Sequence, residues 1–176
     1  NGNANYSTLR LKEEAEKHGH QVKVIKYKNC YVSIDEQHPK VIYRGREIGN
    51  FDVFIPRIAS YMTRYGTAVL RQLEMANPQA FFMNRSIAIT RARDKLRSTQ
   101  LLARAGVAIP KTVFSRNETD IDVLLDEIGG TPAIIKLARG THGNGVVLAE
   151  TIKAAKSVMQ AFYLSDSDGT NVLLQE

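Results

Sequence analysis

The sequence has a single cysteine, no tryptophan and no long run of apolar residues. One cysteine cannot form an internal disulfide. We therefore expect Cys30 to be a small packed side chain, in a chain that belongs in a reducing, cytoplasmic compartment. A membrane-spanning helix needs about 18 or more consecutive apolar residues. The sequence has no such run, so we expect no membrane partner.

Acidic residues are the minority among the charged ones, with 18 aspartates and glutamates against 24 lysines and arginines, for a formal net charge of +6. This excess favours anionic partners such as nucleotides, acidic peptides or RNA. Aromatic residues make up only 7% of the chain, and the basic residues form no long block. Because RNA bases stack on aromatic side chains, a non-catalytic RNA-binding module is the weaker interpretation.

The most informative stretch runs from Pro132 to Glu150. Two apolar runs, Ala133–Ala138 and Val146–Ala149, flank a loop with glycines at positions 140, 143 and 145. This pattern predicts a β-hairpin with a long connection. Glycines allow positive φ and leave backbone N–H groups accessible, and successive N–H groups form sites for phosphate. The hairpin loop is therefore a candidate phosphate-binding segment.

Lys136 lies inside the first apolar run of the hairpin. Side chains alternate along a strand, so Lys136 shares a face with Ile134 and Ala138. An ammonium on a largely apolar face is unfavourable unless an anion or a hydrogen-bond acceptor meets it. Two interpretations stay open: Lys136 contacts a phosphate at the adjacent loop, or it extends into solvent from a half-exposed hairpin. The segment is not a P-loop, because its lysine precedes the glycines.

Residues 1–84 predict a small three-layer α/β domain with a largely parallel sheet. The predicted elements are a helix at Thr8–Lys17, a strand at Gln21–Ile25, a hairpin formed by Tyr31–Asp35 and Val41–Arg44, a buried strand at Asp52–Ile55, a helix at Thr63–Ala76 and a strand at Ala80–Met83. An α/β domain usually has a strand before its first helix, so we expect the natural chain to begin before Asn1.

Residues 85–176 predict an α+β lobe, in which an antiparallel sheet carries helices on one face. The predicted elements are a basic helix at Ile87–Ala105, a strand at Thr112–Phe114, a helix at Ile121–Ile128, the hairpin, a helix from about Lys153 to Phe162 and a strand at Val172–Gln175. The sequence stops directly after a strand, so we expect it to be truncated at Glu176.

Four features, in this order, carry a resemblance to a known family: Lys95, Lys136, the Gly140–Gly145 loop and the segment Leu173–Glu176. With them the sequence resembles the ATP-grasp enzymes. It is most similar to the RimK type, ATP-dependent ligases that add glutamate residues to the C-terminus of a small-subunit ribosomal protein. Further likeness lies in residues 52–58, 92–98, 100–103 and 140–151. The resemblance covers nearly the whole chain and is more specific for the family than for the acceptor.

The resemblance implies an α/β fold in two parts. Residues 1–84 would form a Rossmann-like pre-ATP-grasp domain, and residues 85–176 the smaller, α+β nucleotide-binding lobe of an ATP-grasp fold. The C-terminal lobe of such enzymes is absent from this sequence, and with it the family's catalytic residues and carboxylate metal ligands. No residue of the sequence is expected to be a metal ligand, and the chain alone is expected to be inactive. The carboxylates of Asp120, Asp122, Asp126 and Glu127 are interpreted as solvated.

The resemblance also implies roles for individual residues. Lysines matching Lys95 and Lys136 contact the phosphates, the second also the adenine side, and the loop covers the β- and γ-phosphates. The residue matching Glu176 accepts from the adenine amino group. The nucleotide-binding residues expected are Lys95, Lys136, Arg139, Gly140, Thr141, His142, Gly143, Asn144, Gly145 and Glu176. Arg139 is favoured because arginine stays charged, whereas His142 is either a phosphate contact or a solvent-facing side chain.

Arg57 is a further candidate, because it follows a predicted strand at its carboxyl end, where α/β domains bind ligands. It either holds an acidic substrate or is a surface arginine.

The reaction implied by the resemblance joins a carboxylate to an amine through an acylphosphate, with ATP and Mg²⁺ (or Mn²⁺) as cofactors. The partners implied are ATP, glutamate or a related amino acid, and the acidic C-terminal peptide of a ribosomal protein. A ligase for another amino acid or a carrier protein remains an alternative, as does a non-catalytic nucleotide- or RNA-binding module. The oligomeric state, including a homo-oligomer, stays open.

Overall fold

The computed structural model describes residues 5–36, 38–116, 120–138, 145–164 and 170–176. The chain divides into two compact units, Asn1–Ser86 and Ile87–Glu176. In the part of the chain that the structure describes, no helix is both long and apolar enough to cross a membrane.

The first unit contains two separate sheets among its described residues. Its elements are α1 (Tyr6–Lys17), β1 (Cys30–Ser33), β2 (Lys40–Tyr43), β3 (Arg46–Glu47), β4 (Val53–Phe54), α2 (Thr63–Ala76) and β5 (Phe81–Phe82). Strands β1, β2 and β3 form an antiparallel sheet in that order, while β4 and β5 form a parallel pair. The two residues between β2 and β3, Arg44 and Gly45, both have positive φ, as a tight hairpin turn requires.

Helix α2 packs on the antiparallel sheet of the first unit. It contacts β1 and β2, and Val69, Leu70 and Leu73 are buried along it. Cys30, the first residue of β1, is also buried, and burial raises the pKa of its thiol. The expectation that this cysteine is a packed side chain is confirmed.

Three expectations for the first half are wrong in detail. Gln21–Ile25 belongs to neither sheet of the described residues. The strands are not largely parallel, because the predicted hairpin forms the larger sheet of the unit, and that sheet is antiparallel. The predicted buried strand Asp52–Ile55 is reduced to β4, and Val53 and Ile55 are each 51% exposed.

The second unit is built on a four-stranded sheet. Its elements are α3 (Ser86–Arg93, beginning at the last residue of the first unit), α4 (Lys95–Arg104), β6 (Thr112–Ser115), α5 (Ile121–Ile128), β7 (Ala133–Leu137), β8 (Val146–Ala149), α6 (Ile152–Leu164) and β9 (Val172–Gln175). The strand order is β6-β9-β7-β8, and every neighbouring pair is antiparallel, as predicted.

The single helix predicted over Ile87–Ala105 is in fact two helices. Asp94 separates them: its backbone is extended, and its side chain accepts a hydrogen bond from the backbone N–H of Arg97 (2.9 Å), which caps α4. Aspartate is a strong N-cap residue because its carboxylate satisfies an N–H group that has no partner within the helix. The break makes Lys95 the first residue of α4, and its side chain therefore departs from the start of that helix.

One face of the sheet packs against α5 and α6 and forms the core of the second unit. Ile135, Leu174 and Met159 are completely buried in this cluster, and Leu125 of α5 is 2% exposed. Helix α5 ends at Ile128 and is followed by Gly129, whose φ of +98° is the left-handed conformation that glycine favours after a helix. These contacts fix the position of the strands that carry the candidate site on their other face.

Candidate functional site

The side of the sheet opposite α5 and α6, which we call the open face, is only partly covered. Burial alternates along β7, where Ala133 and Ile135 enter the core and Ile134 and Lys136 point to the other side. Strand pairing extends this face to the neighbouring strands. It consists of Thr112, Phe114, Ile134, Lys136, Val146, Leu148, Leu173 and Gln175. The open face is therefore a largely apolar surface that carries one ammonium group and the polar side chains of Thr112 and Gln175.

Lys136 is half-buried on the open face, and its ammonium donates to a neutral acceptor. Its Nζ donates to Oε1 of Gln175, and Nε2 of Gln175 donates to Oγ1 of Thr112 (2.8 Å). No ion pair with a carboxylate of the described residues involves Lys136. Because an amide oxygen does not neutralise the ammonium, the full positive charge stays available to an anion.

Lys95 brings a second ammonium to the end of β7. Its Nζ donates to the carbonyl oxygen of Leu137, the residue after Lys136, at 2.8 Å. Partial burial lowers the pKa of Lys95, and the nearby charge of Lys136 lowers it further. Two like charges held close together on a partly apolar surface repel each other, and a bound anion would relieve that repulsion.

Gly145 closes the hairpin beside the two lysines. The backbone N–H of Leu137 donates to its carbonyl oxygen (2.8 Å), and its φ is +71°. A Cβ on Gly145 would lie 2.5 Å from Cδ1 of Leu137. Glycine is thus required here both by the backbone conformation and by the Leu137 side chain. Six of the predicted nucleotide contacts, residues 139–144, lie outside the described residues.

An open cavity of about 480 Å³ separates α4 from β6. Its α4 wall includes Leu96 and Thr99, and its β6 wall is formed by Thr112 and Phe114 of the open face. Helix α4 therefore lies on the side opposite α5 and α6, and the expectation that all helices cover one face is wrong. The volume falls in the range of about 300–1,000 Å³ that small-molecule sites occupy.

The two remaining candidates occupy surface positions. Glu176 follows β9 directly, its side chain is exposed, and its backbone N–H donates to the carbonyl oxygen of Lys111 (3.3 Å). Arg57, in the first unit, is exposed and donates from Nη2 to Oγ of Ser7 (2.6 Å), near the start of α1. Both side chains are accessible to a ligand, and their roles remain predictions.

No group of three or more histidine, cysteine, aspartate or glutamate side chains in the described part of the chain is arranged to hold a metal ion. Magnesium and manganese prefer oxygen ligands, chiefly carboxylates. The described residues do not fit a Mg²⁺ or Mn²⁺ site, and no step below is assigned to either ion.

The coupling between the two lysines gives a prediction that needs no ligand. In the Lys136→Met variant of the full-length protein, the pKa of Lys95 should rise, because the repelling charge is gone, but stay below 10.5, because burial remains. Competitive acetylation across a pH series, read by mass spectrometry, reports the pKa of individual lysines. An unchanged pKa of Lys95 would mean that the two charges do not interact.

The lowered pKa of Lys95 determines how its contribution to stability changes with pH. Between the folded-state pKa of Lys95 and 10.5, the unfolded chain binds more protons than the folded one. The contribution of Lys95 to the free energy of unfolding should therefore rise with pH across that window.

Thr112 and Gln175 are site residues that the sequence did not reveal. Both lie within short strands. Thr112 belongs to no recognisable motif, and in the segment Leu173–Glu176 the resemblance implied a role for Glu176 but none for Gln175. The only signal was a polar side chain ending the apolar run Val172–Leu174, and that pattern does not say which strand is the neighbour. Their contact depends on the pairing of β6 with β9, which joins residues far apart in the chain.

Comparison with known protein families identifies the family of the chain. A family model described as the RimK PreATP-grasp domain matches residues 1–89, and a second, the RimK-like ATP-grasp domain, matches residues 92–176. The chain belongs to the RimK type of the ATP-grasp superfamily. The fold class expected from the sequence, a pre-ATP-grasp domain followed by the nucleotide-binding lobe of an ATP-grasp fold, is thereby confirmed.

Curated relatives of this RimK-type chain share half of its residues. It is 52% identical over 171 residues to a probable alpha-L-glutamate ligase of Aliivibrio salmonicida, covering 97% of this chain and 55% of the relative. A protein of the same name from Picosynechococcus sp. gives the same values. The chain thus spans about half the length of the curated relatives it matches.

Solved structures resemble the RimK-type chain in fold. A RimK domain ATP-grasp protein from Sphaerobacter thermophilus superposes with a TM-score of 0.68 at 20% identity, covering 99% of this chain and 60% of that one. The ATP-grasp ligase PsnB complexed with its minimal precursor gives 0.67 at 18% identity, covering 99% and 61%. At these identities the likeness concerns the fold alone.

Proposed function

We propose that the second unit binds ATP on the open face and that the full-length protein is an ATP-dependent carboxylate–amine ligase. The observation that carries the proposal is the pair of ammonium groups at the end of β7. Lys95 and Lys136 meet only neutral oxygens among the described residues, beside a glycine-containing hairpin. A triphosphate would supply the negative charge that the described residues do not supply there.

The proposed roles follow from this placement. Lys95 and Lys136 hold the phosphates, while Arg139 and the Gly140–Gly145 loop cover the terminal ones. Glu176, directly after β9, receives the adenine amino group. Positioning and charge neutralisation account for most of phosphoryl-transfer catalysis, so two cations and a covering loop are the expected contribution of this unit. The catalytic groups of the ligase are proposed to lie in a lobe beyond Glu176.

The proposed reaction has two steps. A substrate carboxylate oxygen attacks the γ-phosphorus of ATP, the bond from that phosphorus to the β–γ bridging oxygen breaks, and ADP leaves. The amine of an amino acid then attacks the acylphosphate carbon, phosphate leaves, and the amine loses a proton. Atoms balance as ATP, carboxylate and amine giving amide, ADP, phosphate and a proton.

We further propose that the amine is glutamate and that the carboxylate is the C-terminus of a small-subunit ribosomal protein, modified in the cytoplasm. The names of the curated relatives support glutamate as the amino acid. The net charge of +6 favours an acidic peptide as the second substrate. Arg57 is proposed to contact that peptide, since among the described residues it forms no ion pair with a carboxylate.

The test uses full-length protein with Mg²⁺, ATP, glutamate and a peptide with an acidic C-terminus. We expect ADP release and peptide masses that increase by whole glutamyl residues. The matched control is the same peptide with an amidated C-terminus, which has no terminal carboxylate to activate. Release of AMP would overturn the acylphosphate route. ADP release only with other amino acids or carrier proteins would keep the ligase and reject the proposed substrates.

The charge of +6 also supports a second candidate, a non-catalytic RNA-binding module. Its binding to RNA should weaken steeply as salt is raised, because each phosphate contact releases counterions. An ATP site should instead distinguish ATP from AMP at constant salt. Tight, salt-sensitive RNA binding without nucleotide discrimination would favour this candidate over the ligase.

A further inference from the structure

The hydrogen bonds around Lys136 form a chain with one possible direction. Oγ1 of Thr112 lies 2.9 Å from the carbonyl oxygen of Pro110, which only accepts, so the hydroxyl proton is used there. Oγ1 must then accept from Gln175, which it meets at 2.8 Å. The NH₂ group of Gln175 therefore faces Thr112, and its carbonyl oxygen Oε1 faces Lys136.

We propose that Gln175 is a positioning residue for Lys136 and that Thr112 sets the orientation of the Gln175 amide. The expected effect on ATP binding rests on the proposed function, whereas the hydrogen-bond geometry does not depend on it. An ammonium carries three protons and no lone pair, so it needs an acceptor to hold it in place. A fixed amide oxygen holds the group on the open face without cancelling its charge.

The Gln175 amide must be uncharged as well as long enough to accept a hydrogen bond from Lys136. Glutamate has nearly the same shape as glutamine and would also accept from Lys136. It would pair the ammonium with a carboxylate and repel an approaching phosphate. Methionine, of similar length, would provide no comparable acceptor. Gln175→Met therefore removes the acceptor that holds Lys136 in place. Gln175→Glu keeps an acceptor but neutralises the charge of Lys136.

The first test measures ATP binding by full-length Gln175→Met, Lys136→Met and the double variant. Gln175→Met should raise the Kd about tenfold, the loss expected for one hydrogen bond to a charged group. In the Lys136→Met background the same change should have no further effect, because residues that act as a unit are not additive. Equal losses in both backgrounds, or no loss in the wild-type background, would overturn the proposal.

Thr112 provides a conservative pair for the orientation of the amide. Thr112→Val keeps the shape but can neither accept from Nε2 nor donate to Pro110, so ATP affinity should fall about threefold to tenfold. Thr112→Ser keeps the hydroxyl and should stay within about twofold of wild type. If valine and serine give the same affinity, the hydroxyl does not orient Gln175.

A second measurement needs no ATP and therefore stands apart from the proposed function. The acetylation rate of Lys136, relative to the exposed Lys153, is measured in full-length protein without nucleotide. This rate should increase several-fold in Gln175→Met, where Lys136 has lost its acceptor, and stay low in Gln175→Glu, where an acceptor remains. Both variants are expected to bind ATP weakly, so the rate does not simply follow ATP affinity. If wild-type protein does not bind ATP, the proposed function fails, and the acetylation rates still test the positioning. Equal acetylation rates of Lys136 in wild type and Gln175→Met would overturn the positioning role of Gln175.

Discussion

Replacing Lys136 with methionine should weaken ATP binding by the full-length protein about 30-fold to 100-fold, or about 2–3 kcal/mol, as for a lost hydrogen bond to a charged group. The free energy of unfolding should change by less than about 1.5 kcal/mol, because methionine fills the same space on a partly apolar face, and the relief of the repulsion with Lys95 offsets the loss of the hydrogen bond to Gln175. Isothermal calorimetry and thermal denaturation measure the two quantities.

Lys153→Met is the matched control for this substitution. Lys153 lies exposed on α6, which packs on the opposite side of the sheet, so its loss removes the same charge without touching the open face. ATP affinity in this variant should stay within about twofold of wild type. Equal losses in the two variants would mean that general charge, and not the position of Lys136, governs binding.

Replacing Gly145 with alanine should destabilise the β7–β8 hairpin by about 2–5 kcal/mol. Roughly 1–2 kcal/mol comes from a non-glycine residue at φ +71°, and 1–3 kcal/mol from a Cβ placed 2.5 Å from Cδ1 of Leu137. Hydrogen exchange of peptides covering β7 and β8 measures this local opening. ATP turnover should fall as well, because a shift of Leu137 also moves its carbonyl oxygen, which accepts the hydrogen bond from Lys95.

Two variants separate the two causes. Gly129→Ala also places alanine at positive φ, here +98°, but no other atom lies within 4 Å of the added Cβ, so only the backbone term of about 1–2 kcal/mol applies. In a Leu137→Ala background the cost of Gly145→Ala should fall toward that value, because the nearest colliding atoms are gone. A cost that stays the same with Leu137 removed would contradict the steric explanation.

The sequence predicted the elements of the second unit well where local patterns determine them. The helix Ile121–Ile128 is confirmed at both ends: Asp120 precedes it at the N-cap, and Gly129 and Gly130 directly follow it. The pairing of Ala133–Leu137 with Val146–Ala149 is confirmed because the two runs are neighbours in the chain, and neighbours of this kind pair as hairpins. The alternation that sets Lys136 apart from Ile135 is likewise a local property of one strand.

The features that sequence reasoning missed depend on contacts between distant residues. The break at Asp94 could not be distinguished from a helical aspartate, because the surrounding residues are all compatible with helix. The partner of Lys136 depends on β9 lying beside β7, and the orientation of that partner depends on β6 lying beside β9. Gln21–Ile25 has the composition of a strand, but a strand forms only where another strand pairs with it.

The position of β9 has a consequence for how the second unit is made. This strand lies between β6 and β7, two strands that are synthesised before it. During translation, β6 has no neighbour in the sheet until Val172–Gln175 has left the ribosome, and the β7–β8 hairpin waits as an isolated pair. A two-stranded hairpin alone is only marginally stable in water. The nascent unit therefore exposes its apolar strands until β9 is synthesised. Aggregation is most favourable during this interval, and chaperone binding would be most useful then.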